Sequence, residues 1–306
     1  MLRYALLRLL GAIPTLLLVI VLAFLMVHAA PGGPFDDERV LPPEIEANIA
    51  AAYRLDDPLP TQFFNYLAGL LQGDLGPSYR YRDRTVSELI GSAFPLSLKL
   101  GAMAMLLATV VGVGAGTFAA LRKDSAIDRI VMTLAMTGIS IPVFVIAPVL
   151  VLFLAVQLQW LPAGWTGNGV SRYLLPVISL ALPQIAYIAR LTRASMIEVL
   201  ESDFVRTARA QGLGTATVVR LHALKPAMLP VLSYMGPAIA AILTGSVVVE
   251  EIFGIPGLGQ HFVRGALNRD YTLVLGIVIF YATLVVLLNL LVDLLYGAID
   301  PRIRRR

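Results

Sequence analysis

Hydrophobic residues are grouped along the chain into six long stretches, which polar segments separate from one another. Each stretch has about 20 residues or more, the length that an α-helix needs to cross the hydrocarbon core of a membrane. The stretches run over residues 9–30, 96–121, 130–158, 173–191, 227–249 and 273–296. The pattern therefore predicts an all-α integral membrane protein with six transmembrane helices.

The composition agrees with this prediction. Hydrophobic residues make up 58% of the chain, charged residues make up 14%, and the mean hydropathy is +0.78. These values lie far from those of a soluble domain. The chain contains no cysteine, which excludes a disulfide framework, a thiolate metal site and a cysteine nucleophile.

The distribution of charge predicts the orientation of the helices. With both termini in the cytoplasm, the cytoplasmic side receives 15 of the 24 Lys and Arg residues and 7 of the 20 acids, a net charge of +8. The opposite side receives 9 basic residues and 13 acids, a net charge of −4. Cytoplasmic segments of membrane proteins are enriched in Lys and Arg, so the pattern favours an N-in, C-in topology.

Residues 31–95, between the first two stretches, are polar and are predicted to form an external subdomain. Within it, residues 61–71 place aromatic and leucine side chains at helical spacing, which predicts an amphipathic helix on the membrane surface or on the outer ends of the spans. Two interpretations of the subdomain stay open, a docking surface for an external partner and a lid without one. The first apolar stretch is interpreted as an uncleaved helix, because it exceeds the apolar core of a signal peptide.

Residue patterns typical of enzymes do not assemble into a site. Gly112, Gly114 and Gly116 lie inside an apolar stretch, where close helix packing explains them better than nucleotide binding. The sequence has no P-loop pattern, which excludes ATP hydrolysis by that route. The histidines lack metalloprotease spacing, and serines in the spans are expected to bond to helix backbone. These residues are His28, His222, His261, Ser140, Ser179 and Ser246.

Ion-driven transport would require acidic groups inside the membrane. Asp293 is the one acid that lies well inside a predicted span, close to its cytoplasmic end. It is interpreted as an interfacial carboxylate or the partner of a base such as Arg302, in preference to an ion-coupling group. An ion-coupled secondary transporter of small solutes is therefore the alternative function, and the shortage of buried charge implies that energy enters through another subunit.

A polar segment at residues 201–213 separates the fourth and fifth stretches. Ser202 or Asp203 is suited to the N-cap of a short helix, and Gly212 is suited to the left-handed position after its last turn. A further helix is expected to begin at Thr215. The turns around the start of the short helix are expected to form an apolar stripe of Met196, Val199, Leu200 and Phe204.

This segment resembles the inner-membrane permease subunit of ATP-binding cassette (ABC) importers, in the oligopeptide/dipeptide branch of the family. The resemblance rests on residues 204–213, Phe-Val-Arg-Thr-Ala-Arg-Ala-Gln-Gly-Leu, and residues 222–230, His-Ala-Leu-Lys-Pro-Ala-Met-Leu-Pro. The general importer motif has Glu-Ala-Ala where this chain has Arg206-Thr207-Ala208, and Ile where it has Ala227. The chain is closer to the peptide-importer form of the motif.

Residues 245–260, 265–271 and 300–302 and the N-terminal Met-Leu-Arg-Tyr extend the resemblance over nearly the whole chain. It is most similar to the first of two non-identical permease subunits, which has a long external segment after its first helix. The resemblance implies the type I ABC importer permease fold in a bacterial inner membrane. The predicted domains are residues 1–30, tail and first helix; 31–95, external subdomain; 96–296, five-helix permease core with the coupling segment 192–226; and 297–306, basic cytoplasmic tail.

The resemblance also implies a permease without enzymatic activity, which forms half of a pathway for oligopeptides or dipeptides. The implied partners are a second homologous permease, two cytoplasmic ATPase subunits or domains, an external peptide-binding protein and membrane lipid, with no nucleic acid. Mg-ATP is expected in the ATPases, and no cofactor or metal is expected in this chain. The substrate stays open, because similar permeases serve nickel, glutathione or other small solutes.

Two sets of site residues are predicted, the first from the resemblance and the second from the residues of a loop. A helix that seats in a cleft of the ATPase would couple through Asp203, Phe204, Arg206, Thr207, Ala208, Arg209, Ala210, Gln211, Gly212 and Leu213. The loop after the fifth stretch has too many Gly and Pro residues for a continuous helix, and it is expected to form an external gate or a contact with the binding protein. Its residues are Glu250, Phe253, Gly254, Pro256, Gly257 and Gly259, and a plain turn is the alternative.

Overall fold

The structure is a computed structural model that describes residues 2–29, 57–81, 83–166 and 169–299. Within these ranges the chain is almost wholly helical, apart from loops and an isolated antiparallel bridge between Pro77 and Thr85. Five of the described helices are long and apolar enough to cross a membrane, and a bent pair of helices supplies a sixth crossing if it is one span. The predicted all-α membrane fold is confirmed.

The helices follow one another along the chain with short connections. They are α1 (Leu2–Ala29), α2 (Leu59–Leu71), α3 (Val86–Leu121), α4 (Ala126–Ser140), α5 (Val143–Leu150, continued as a π-helix over Val151–Gln157), α6 (Ser171–Leu200), α7 (Asp203–Ala210), α8 (Thr215–Thr217, continued as a π-helix over Val218–Ala223), α9 (Leu224–Ala227), α10 (Leu229–Phe253), α11 (Leu258–Leu267) and α12 (Tyr271–Ile299).

Helix α3 begins ten residues before the apolar stretch that predicted it. Its start is fixed by a capping box, in which the amide of Glu88 donates to the hydroxyl of Thr85 at 3.2 Å and the amide of Thr85 donates to the Glu88 carboxylate at 3.1 Å. The pattern Thr-x-x-Glu was present in the sequence. The helix therefore extends beyond the part of it that is apolar enough for the membrane.

The prediction of one continuous helix over residues 130–158 is wrong. Helix α4 ends at Ser140, and its axis makes an angle of 108° with the helix that starts at Val143. Ile141 is extended, with φ −92° and ψ 121°, because the ring of Pro142 disfavours the helical conformation in the residue before it. The third apolar stretch is therefore a broken pair of helices.

The chain divides into two compact units, of which the larger consists mainly of residues 97–255. Helix α6 packs against α4, α5 and α10 within this unit. Helix α3 also approaches α6 closely, since a Cβ added at Gly112 would lie 2.8 Å from Ile188 and one added at Gly116 would lie 2.7 Å from the Cβ of Thr192. The predicted role of these glycines in close packing is confirmed, whereas Gly114 faces open space.

The smaller unit takes its described residues from 9–96 and 256–284. Helix α2 lies here, and Phe63, Tyr66 and Leu70 pack against Phe24 of α1 and against Leu275 and Ile279 of α12. The predicted amphipathic helix is thus packed on the ends of the spans. Residues 31–56, the rest of the predicted external segment, lie outside the described residues.

Candidate functional site

The candidate coupling segment contains a short helix that is packed on one side. Val205 is fully buried in α7 and Ala208 nearly so, and both belong to an apolar cluster with Val218 of the following π-helix. Partly buried side chains complete this cluster, namely Val199, Leu200 and Leu213. The helix is therefore fixed to the segments before and after it.

Both ends of α7 lie where the sequence predicted them. Ser202 occupies the N-cap position, but its hydroxyl does not cap the helix and instead donates to the carbonyl of Val199 at 2.5 Å. Gly212 has φ +84°, the predicted left-handed conformation. The amide of Leu213 then donates to the carbonyl of Ala208 at 3.3 Å across the turn. Only glycine adopts this conformation without a steric cost, so the turn depends on Gly212.

The other face of α7 is exposed. Phe204 exposes 50% of its surface, so the prediction that it completes an apolar stripe with the preceding helix is wrong. Val205 is buried instead, which rotates the packed side by about 100° around the helix axis. Arg206, Thr207 and Arg209 lie on the exposed side. Aromatic residues and arginine are enriched in protein interfaces, so this face has the composition of a docking surface.

The ten predicted coupling residues lie together on α7 and its C-terminal turn. Ala208 is buried and Leu213 is partly buried, whereas the other eight are exposed. The exposed residues are Asp203, Phe204, Arg206, Thr207, Arg209, Ala210, Gln211 and Gly212. A partner that covered this surface would meet both charged and apolar side chains.

Two ion pairs fix α6 just before it leads into α7. Arg193 binds Asp128 at the start of α4 through two nitrogens, Nε to Oδ1 at 2.5 Å and Nη2 to Oδ2 at 2.6 Å. Asp128 also accepts from the amide of Asp124 at 3.0 Å. Lys123 donates to Glu201 at 2.8 Å in an exposed pair, and this hydrogen bond lowers the pKa of the Glu201 carboxyl. We name the Asp128–Arg193 pair the clamp.

Sequence reasoning did not predict that several acids are buried. It named Asp293, whose side chain lies outside the described part of the chain, whereas the structure buries Asp128, Glu250 and Asp270. Asp270 directly precedes α12 and accepts from the amide of Leu273 at 3.2 Å, in the manner of an N-cap. An Asp before an apolar helix is a recognised start signal, so this role was readable from the sequence.

The predicted gate lies where α10 ends. Gly254 is left-handed, with φ +65°, and the amide of Ile255 donates to the carbonyl of Glu250 at 2.8 Å. The prediction that the helix stops here is confirmed. Gly254 and Pro256 are exposed. The other four residues assigned to the gate or contact are buried, namely Glu250, Phe253, Gly257 and Gly259.

The other polar candidates form no catalytic constellation in the part of the chain that the structure describes, and no group of three metal-ligating side chains occurs there. The hydroxyls of the three span serines donate to carbonyls of their own helices, as predicted, at 2.8–2.9 Å. His261 lies beside Tyr81, with 5.6 Å between ring centroids. Burial, together with the nearby Arg264 and Arg84, lowers the pKa of its imidazole.

Comparison with known proteins shows the family. Residues 112–305 match the binding-protein-dependent transport system inner membrane component, and residues 1–101 match the N-terminal part of such membrane components. The chain belongs to this family. Oligopeptide transport system permease protein OppB of Salmonella typhimurium is 55% identical over 305 residues, which cover 99% of this chain and 100% of that protein. Dipeptide transport system permease protein DppB of Bacillus subtilis is 41% identical, with coverage of 99% and 98%.

A solved structure shares the fold of this inner membrane component. The inward-facing MetNI methionine ABC transporter matches with a TM-score of 0.57 at 17% identity, over 69% of this chain and 96% of that chain. At this identity the likeness shows the fold alone, which is that of ABC importer permeases. The family resemblance inferred from the coupling segment is confirmed, and the chain is a multi-pass protein of the bacterial inner membrane.

Proposed function

We propose that this chain is the permease subunit of an ATP-driven importer and forms half of a membrane pathway for oligopeptides or dipeptides. The observation that carries the proposal is the 55% identity to an oligopeptide permease over nearly the whole chain. Membership in the binding-protein-dependent family favours this function over an ion-coupled transporter. No comparison supports that alternative.

The proposal includes four protein partners. A second homologous permease completes the pathway, two ATPase subunits or domains bind and hydrolyse Mg-ATP in the cytoplasm, and an external binding protein delivers the peptide. This chain itself is not an enzyme. The family takes its description from transport that depends on a binding protein, which supports the last of these partners.

We assign the contact with the ATPase to α7 and its turn. The exposed ring of Phe204 and the guanidinium groups of Arg206 and Arg209 present apolar and charged contacts to an ATPase cleft. The buried side of α7, formed by Val205 and Ala208, packs on the next segment, so the helix moves together with it. Closure of the ATPases would then reach the spans through α6 and α10.

We assign the external gate to the end of α10 and the loop after it. The buried Phe253 and the left-handed Gly254 support a structural stop at this point. We assign the contact with the binding protein to the two exposed residues of this set, Gly254 and Pro256. The domain boundaries at residues 30, 95 and 296 and the coupling segment 192–226 remain part of the proposal.

Reconstitution tests the proposed function directly. The chain is purified with its associated subunits, placed in liposomes and supplied with the binding protein and labelled peptides of different lengths. We expect uptake that requires ATP and stops when ATP is replaced by a non-hydrolysable analogue. Uptake that an ion gradient drives without ATP would overturn the proposal, and the length series would separate a dipeptide importer from an oligopeptide importer.

A further inference from the structure

Two cationic side chains meet at Tyr173, in the larger unit and near the predicted external ends of α3 and α6. Lys99 donates a hydrogen bond from Nζ to the Tyr173 hydroxyl at 3.3 Å, and Nζ lies 4.4 Å from the centre of the tyrosine ring. The guanidinium carbon of Arg172 lies 5.3 Å from the same ring and 4.4 Å from the ring of Trp165. The cluster of Lys99, Trp165, Arg172 and Tyr173 is named the cation pair site.

The aromatic residues hold the cation pair site in a fixed geometry. Trp165 and Tyr173 make an edge-to-face contact, with 4.9 Å between centroids and 82° between ring planes. The amide of Trp165 donates to the carbonyl of Phe253 at 2.7 Å, which ties the loop to the end of α10 beside the proposed gate. Tyr173 itself is 8% exposed. The two cations are therefore held by neighbours that are anchored, and the site is preorganised for a ligand.

The charges of the cation pair site are unbalanced. Among the residues that the structure describes, neither Lys99 nor Arg172 forms an ion pair with a carboxylate. The Nε of Arg172 is buried there without a hydrogen-bond acceptor. Like charges that share one aromatic ring repel each other, and a buried donor without an acceptor is unfavourable. An anion bound by the two side chains would offset this repulsion.

We propose that Lys99 and Arg172 bind the C-terminal carboxylate of a peptide as it enters the membrane pathway. This inference rests on the proposed function, because it takes a peptide as the transported ligand. A guanidinium and an ammonium group bind carboxylates through short, charge-assisted hydrogen bonds. Tyr173 is buried and the Arg172 side chain is partly buried, and hydrogen bonds to the guanidinium are stronger where water is partly excluded. A phospholipid phosphate shares the anionic chemistry, and the experiment separates the two ligands.

The test uses one peptide in two forms, with a free C-terminal carboxylate and with a C-terminal amide. The complete importer with its binding protein is reconstituted in phosphatidylcholine liposomes, and kcat/KM of ATP-driven uptake is measured for each form. The binding protein contributes the same preference to every variant, so the ratio between variants isolates this chain. We expect Lys99→Gln and Arg172→Gln each to reduce the preference for the free carboxylate about tenfold, the effect of losing one charged hydrogen bond.

Two control variants test whether the effect depends on the positive charge and on its position. Lys99→Arg keeps the charge and should keep most of the preference. Arg84→Gln removes one exposed positive charge from the same predicted side of the membrane and should leave the preference unchanged. A preference that survives both glutamine variants, or uptake of both peptide forms that falls equally, would overturn the carboxylate site.

A change in the lipid composition of the liposomes distinguishes a peptide carboxylate from a phospholipid phosphate as the ligand. One outcome would show that the site binds phosphate and that the proposal is wrong. In that outcome, added anionic lipid increases the uptake of both peptide forms, and the glutamine variants lose this increase but keep the preference for the free carboxylate. Wild-type liposomes that take up neither form with ATP would overturn the proposed function and this site with it. Normal uptake with an unchanged preference in the variants would overturn this site alone.

Discussion

Asp128 and Arg193 lie 65 positions apart in the sequence, yet they form two hydrogen bonds between α4 and α6. The carboxylate is 4% exposed and the guanidinium side chain is 26% exposed. Removing one member of a buried ion pair costs about 3–5 kcal/mol, because the other charge stays buried without compensation. The clamp therefore has a larger predicted effect on stability than any exposed pair.

We expect Arg193→Met to lower the free energy of unfolding by about 3–5 kcal/mol, measured by thermal unfolding of the purified protein in detergent. Removing both charges, in Asp128→Asn with Arg193→Met, should recover part of this loss. The matched control is Lys123→Met, which breaks the exposed Lys123–Glu201 pair and should cost about 1 kcal/mol or less. Equal losses in the two single variants would show that the clamp is not a buried pair.

Neither partner of the clamp could be recognised from the sequence. Arg193 looked like one of many cytoplasmic basic residues, and Asp128 fell two residues before the predicted third span. Their pairing depends on how α4 and α6 pack, which is a tertiary property. The fold class, by contrast, was readable because membrane hydrocarbon imposes a length and a polarity on each span.

At the scale of elements, the glycine cluster of α3 provides an internal comparison. A Cβ at Gly112 or Gly116 would lie within 3.0 Å of atoms of α6, whereas a Cβ at Gly114 has nothing within 4 Å. The same cluster thus contains two positions that set the distance between helices and one that does not. The sequence predicted close packing but could not say which of the three glycines makes it.

We expect Gly112→Ala and Gly116→Ala each to lower the free energy of unfolding by about 1–3 kcal/mol, the usual cost of overpacking. Gly114→Ala should be neutral or slightly stabilising, since alanine favours helix by about 1 kcal/mol over glycine. The free energies of unfolding of the three variants are compared by thermal unfolding in the same detergent. The packing assignment fails if Gly114→Ala destabilises as much as the other two.

Hydropathy also predicted the third apolar stretch but not its break. The average hydropathy over residues 130–158 hardly changes with a single Ile-Pro pair. The proline was nevertheless a local signal for the break, because the residue before a proline favours an extended conformation. The short helix α7 was better predicted, because Gly212 is a strong stop signal. The side on which α7 packs was mispredicted at Phe204. The apolar pattern cannot distinguish a side chain that packs within the chain from one that contacts a partner.

The turn at Gly212 gives a prediction at the scale of this element. Gly212→Val should reduce peptide uptake per ATP hydrolysed about fivefold or more, because a β-branched residue in the left-handed region costs about 1–2 kcal/mol and redirects α7. Gly214→Val is the matched control, as Gly214 has φ −67° and a Cβ added there would have nothing within 4 Å. Both variants should insert into the membrane normally, measured by their yield in the membrane fraction. If Gly212→Val takes up as much peptide per ATP hydrolysed as the wild type, the turn is not required for coupling.

At the scale of the whole molecule, α6 connects the cation pair site to the coupling helix α7. It carries Tyr173 of the cation pair site near one end, and it carries Arg193 of the clamp before it leads into α7. Its 30 residues span about 45 Å at 1.5 Å per residue. A peptide carboxylate would thus act at one end of α6, and an ATPase would act on α7 at its other end, which provides a direct route for coupling between them.

This arrangement requires the two ends of α6 to lie on opposite sides of the membrane, and single cysteines can test that requirement. The chain has no cysteine, so Gln72→Cys and Ala216→Cys, both at exposed positions, can be labelled without background. We expect a membrane-impermeant maleimide to label Gln72→Cys in intact spheroplasts and Ala216→Cys only after permeabilisation, as the positive-inside rule implies. The reverse pattern would invert the topology and would place α7 where no cytoplasmic ATPase reaches it.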